Sequence, residues 1–101
     1  MTAETFRASC KVVEVIDGKR WERIATIVIG GDRWWDCKEI AVRHFGCDPG
    51  DIAYEKTIAT AAVETRWVGS DAGAYPNRHM EFRKRNGQEY GPWKDLSEYA
   101  P

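Results

Sequence analysis

Residues 5–16 alternate with the period of a strand. Phe6, Ala8, Cys10 and Val12 share one parity, and Arg7, Ser9 and Lys11 share the other. DGK at Asp17–Lys19 follows and is predicted to be a hairpin turn, the glycine after aspartate supplying the positive φ that such turns need. A return strand is predicted over residues 20–29. Its stretch IATIVI is rich in β-branched residues and predicts a central, well-buried strand. Gly30-Gly31 ends that strand, and Asp32 stands where a helix N-cap is expected.

The pattern then changes to a helical period over residues 33–45, RWWDCKEIAVRHF, closed by Gly46. At about 100° per residue, Cys37, Ala41 and Phe45 fall within about 60° of Trp34, which predicts the core stripe. Asp36, Glu39 and Arg43 fall on the opposite, wet face, and Trp35 lies at the border beside Val42.

Residues 47–51, CDPGD, read as a turn. Residues 52–68 are predicted to be strand, with a parity switch near 59–62. Ile52, Tyr54 and Ile58 share one parity, Val63, Thr65 and Trp67 the other. The switch implies a bulge, a kink or two short strands, and a helical turn over 57–63 is the alternative reading. Glycines, aspartate, proline and asparagine make residues 69–78 a loop. HMEFRKR is a strand with Met80 and Phe82 inward, Asn86-Gly87 a hairpin turn, and QEYGPWKDL a return limited by Pro92 to an edge strand or irregular tail. The predicted fold is α+β. A single domain over residues 1–101 has one helix packed on a mostly antiparallel sheet, in the order β-β-α-β-(β)-β-β.

Charge adds exclusions. Fifteen Lys and Arg oppose sixteen Asp and Glu, so no global field favours nucleic acid or an anionic membrane. Residues 1–7 are polar, and no stretch approaches the ~20 apolar residues of a membrane helix. Three cysteines, Cys10, Cys37 and Cys47, cannot all pair with one another. They are expected to be free thiols in a reducing cytoplasm.

Catalytic and metal signatures are missing from the sequence. Cys37 precedes His44 by seven residues, about 10.5 Å of helix, too far for one zinc, and there is no C-x-x-C pair. No nucleophile stands in a recognisable activating motif, and the glycines at 69 and 73 are not followed by a phosphate-binding lysine. The expectation is a non-enzyme without cofactor or metal.

Five tryptophans and four tyrosines are many for 101 residues. Large aromatics gather in cores and at interface centres. Trp35, Tyr75, Arg78, Trp21 and Trp93 lie outside regular core positions and form the candidate partner-binding set. The partner expected is another protein or a ribonucleoprotein complex, blocked by steric occlusion. In size and missing chemistry the chain is analogous to phage-borne inhibitors of host defence, such as anti-CRISPR proteins, with no matched residue behind the analogy. The alternative is single-strand nucleic-acid binding through Arg78, Arg83, Lys84, Arg85 and Tyr90, where basic residues outnumber Glu81 beside aromatic rings. An edge strand at 78–84 or 91–96 could also pair with its twin in a homodimer.

Overall fold

The computed structural model describes residues 4–69 and 78–101. β1 (Glu4–Ile16) and β2 (Lys19–Gly31) form a long hairpin, paired from Glu4↔Gly31 to Ile16↔Lys19. Its turn is Asp17-Gly18, both with positive φ (52° and 76°), the mirror-image geometry that matches the twist of the strands. A 3₁₀ turn (Trp34–Cys37) leads into α1 (Lys38–Phe45). The chain continues through β3 (Ala53–Thr57), β4 (Val63–Val68), β5 (His79–Asn86), β6 (Glu89–Tyr90) and β7 (Lys94–Asp95).

The strands make one sheet in the order β3-β1-β2-β4-β5-β6, with β7 also on β5. All pairs are antiparallel except β2–β4. One helix on one face of a mostly antiparallel sheet is the α+β architecture that the sequence pattern implies. Alternate residues of the central strands point at the helix. Phe6, Ala8, Cys10, Ile27, Ile29, Val63 and Phe82 meet Cys37, Ile40 and Ala41 in the core, closed by Ile52 and Tyr99.

Several expectations are corrected. The helical segment opens with a 3₁₀ turn, and Arg33, not Asp32, occupies its cap position without a side-chain bond. The cause is a close approach. A Cβ on Gly31 would lie 2.9 Å from Thr65 Oγ1 and 3.2 Å from Cys37 Sγ, so the chain turns tightly against β4 as it leaves β2. In 3₁₀ winding Asp36 lies about 240° from Trp34 instead of about 200°. Asp36 therefore faces β4 and is buried, where the helical pattern puts it in water. Trp34 keeps the side of Cys37 but sits one turn nearer the rim, over Tyr54, and is half exposed instead of core.

The stretch 52–68 is two short strands. Residues 57–63 hold no helical turn, and 58–62 connect β3 to β4. The second hairpin turns at Gly87-Gln88, between the paired residues Asn86 and Glu89. Only the last third of β2 is buried, because β4 flanks it only at Ile29 and Gly30. Residues 78–84 are not an edge, since β5 has β4 on one side and β6 and β7 on the other. Cys10 and Cys47 are joined in a disulfide, so only Cys37 is a free thiol. Among the described residues no helix is long and apolar enough to cross a membrane.

Candidate functional site

The tight turn after β2 determines what the surface displays. It swings Trp34 and Trp35 off the end of the sheet, while Trp67, next to last in β4, meets the turn at Asp36. These three indoles are 46%, 49% and 44% exposed, unusual for rings so large. Trp34 and Trp35 meet edge to face, centroids 5.8 Å apart, and Trp34 leans on Tyr54 at 5.1 Å. The Trp67 Nε1–H donates to the buried Asp36 carboxylate at 3.1 Å. Guanidinium groups cover one side of two rings: Arg33 lies 4.5 Å from Trp35 and Arg78 5.1 Å from Trp67.

Between these groups lies a groove of about 620 Å³ whose lining includes Arg33, Trp35, Lys38, Trp67 and Arg78 and the acidic Asp36 and Glu39. Trp34 walls a second, more apolar groove of about 490 Å³ with Phe6, Ile52 and Tyr54. The Asp36 bond holds Trp67, and the ring contacts position Trp34 and Trp35; side chains held before binding lower its entropy cost.

Of the partner-binding set expected from sequence, Trp35 and Arg78 line the same groove. Trp21 is exposed but far along the β1–β2 hairpin. Trp93 packs on the outer-face arginines, its ring 4.2 Å from the Arg66 guanidinium and 4.7 Å from that of Arg83, and with Trp67 and Arg78 it lines an adjoining groove of about 440 Å³. Tyr75 lies outside the described residues. Trp34 and Trp67 were not in that set. Trp34 has the helical spacing of a core residue, and Trp67 the parity of buried Thr65. What exposes both is position at the end of an element, beyond its cover.

The residues of the nucleic-acid alternative divide between two faces. Register with buried Thr65 and Phe82 sends Arg83 and Arg66 to the outer face and Lys84 to the helix side. There the Lys84 ammonium lies over the Tyr99 ring and donates to the Ala100 carbonyl. On the outer face Arg83 is already engaged. It lies 4.6 Å from the Tyr90 ring and 4.7 Å from Trp93, and its Nε donates to Glu64 Oε1 at 2.7 Å. Arg66 likewise pairs with Glu81 at 2.7 Å. Tyr90 sends its hydroxyl to the Ala61 carbonyl at 2.8 Å, and Arg85 stands opposite Tyr90 in the hairpin. Arg78 lines the tryptophan groove and also, with Arg83 and Trp93, the adjoining groove.

Reactive groups are quiet. Burial, and secondarily the neighbouring Asp36, push the Cys37 thiol up to about 12, so it stays protonated. His44 is held by the Tyr99 hydroxyl at 2.8 Å. Among the described residues no three His, Cys, Asp or Glu side chains converge as a metal site. The chain matches no protein-family model, no curated protein and no solved structure at significant similarity.

Proposed function

We propose that this chain is a small, non-catalytic protein-binding domain that acts by steric occlusion. The observation that carries the reading is the convergence of half-exposed Trp34, Trp35 and Trp67 on one preorganised surface. Tryptophan and arginine dominate interface hot spots because they bury large apolar area and still offer polar contact. The partner is a protein or the protein component of a ribonucleoprotein. It inserts an apolar side chain beside Trp35 and sets acidic groups against the rim cations Arg33, Lys38 and Arg78. A phage-borne inhibitor of the anti-CRISPR kind is one member of this class, by analogy of size and chemistry. Cytoplasmic residence, argued above from free thiols, loses that support with the Cys10–Cys47 bond, since disulfides persist in oxidising surroundings.

The test is affinity capture from the native host with wild-type protein, Trp35→Ala and Trp34→Ala, after melting curves show all three folded. Capture of one protein that survives nuclease treatment and weakens at least about tenfold in the variants is the expected result, a loss typical of a hot-spot aromatic. Capture that persists unchanged in both variants overturns the site. Binding abolished by nuclease, and falling steeply with salt on a labelled single strand, favours the nucleic-acid reading instead.

A further inference from the structure

The β1–β2 hairpin outruns the body of the protein. β3 flanks β1 only from Thr5 to Ser9, and β4 flanks β2 only at Ile29 and Gly30. Beyond these points, residues 11–16 and 19–24 form a two-stranded arm with no further strand paired to either edge among the described residues. A bare two-stranded ribbon is marginal in water. This one also exposes Val13, Val15, Ile16, Trp21 and Ile24.

The two edges differ in kind. The free stretch of β2 begins Lys19, Arg20, Trp21, Glu22, Arg23, four charges in five residues, the usual protection of an edge. The free stretch of β1 is Lys11, Val12, Val13, Glu14, Val15, Ile16: β-branched, of high strand propensity and weakly charged. From this asymmetry we infer that the arm pairs with the arm of a second copy of this chain through the β1 edge, antiparallel, about a two-fold axis at Val13. That interface lies apart from the tryptophan groove and does not rest on its function.

The register follows from three constraints. A two-fold axis normal to the sheet keeps each residue on its own face, so only residues of equal parity can oppose. An axis at Glu14 sets two carboxylates against each other, which is destabilising. An axis at Val12 drives the partner's Val15 onto Ser9, a position that Ala53 of β3 already fills. An axis at Val13 places Val13 on its twin, Lys11 opposite Val15 and Val12 opposite Glu14, with no like charges facing. It fits the free stretch from the end of β3 to the turn. The ion pairs that brace each arm, Lys11–Glu22 at 3.0 Å and Arg23–Glu14 at 3.1 Å, lie within one hairpin and can remain. The product is a four-stranded sheet in which Val13 and Val15 of both copies pack on one face, enough strands for independent stability.

Light scattering at micromolar concentration should give twice the 11.5 kDa chain mass. Val13→Cys should cross-link two chains under mild oxidation, because residues opposed at the axis bring their Cβ atoms within about 5.5 Å. Ile24→Cys should not. Val13→Glu should weaken association about tenfold or more, by setting two carboxylates face to face. A monomeric wild-type protein overturns the inference, as does a Val13→Glu dimer of unchanged affinity. Cross-linking of Ile24→Cys in place of Val13→Cys overturns the β1 register. If Val13→Glu fails to fold, the cross-linking pair decides.

Discussion

Gly31 shows how one absent side chain shapes the surface. It lies where β2 passes beneath the 3₁₀ turn, with Thr65 Oγ1 and Cys37 Sγ at the edge of where its Cβ would be. Thr65 Oγ1 is fixed there by donating to the Gly30 carbonyl at 2.9 Å. Neither neighbour is the loose end of a long side chain, so a methyl group must displace packed atoms. Gly31→Ala is expected to cost about 1–3 kcal/mol, the usual penalty for overpacking a core. Denaturant unfolding should show a lower midpoint with an unchanged slope. Because the same glycine lets the chain turn early, the variant should also alter the fluorescence of Trp34 and Trp35, which ride on that turn.

At the scale of elements, the Cys10–Cys47 bond ties β1 to the segment after α1 across 37 residues. α1 has only eight residues and buries only Ile40 and Ala41 within its own length, too short to be stable by propensity. A cross-link closing a loop of this size contributes roughly 2–4 kcal/mol, mainly by restricting the unfolded chain. The double variant Cys10→Ser, Cys47→Ser should lose about that much in denaturant unfolding. Thiol titration of the wild type is the companion measurement. Native protein should be silent, since Cys37 is buried and its thiol is pushed up to about 12. Denatured protein should show one thiol per chain without reductant and three with it, and three without reductant would contradict the bond. Elements built on local periodicity were legible in the sequence. The alternation of Phe6, Ala8, Cys10 and Val12, the Asp17-Gly18 turn and the inward Met80 and Phe82 all stand in the structure. Features decided by distant contacts were not legible. The 3₁₀ turn depends on Gly31 meeting β4, and the disulfide joins cysteines whose spacing declares no pairing. The site was half legible for the same reason. Trp35 and Arg78 were recognisable as surplus to a core, whereas Trp34 and Trp67 follow core periodicity and are exposed only because their elements end.

The whole molecule is an extended body, 54 × 32 × 23 Å with a radius of gyration of 15.2 Å, against about 13 Å for a compact chain of this length. The arm accounts for the excess length, so the cohesion of the rest depends on how the C-terminal segment closes the core. Tyr99 makes that closure. It is buried, its ring meets Phe82 edge to face at 5.2 Å, and its hydroxyl lies 2.8 Å from His44 Nδ1 on α1. Burial first, and the Lys84 ammonium second, hold the His44 imidazole below its ordinary 6.5. The unfolded chain therefore takes up this proton at higher pH than the folded one. The resulting stability is complete above about pH 6.5 and is lost as pH falls through the folded value. Asp95, whose carboxyl is lowered by hydrogen bonds from Ser97, titrates below its ordinary 3.8 and leaves this window clear. Urea midpoints measured from about pH 8 down to about pH 5.5 should decline for the wild type. His44→Gln should start lower, through the altered contact with Tyr99, and should show a flatter profile. A wild-type profile as flat as that of the variant would mean that protonation of His44 leaves the join between α1 and the C-terminal segment unchanged.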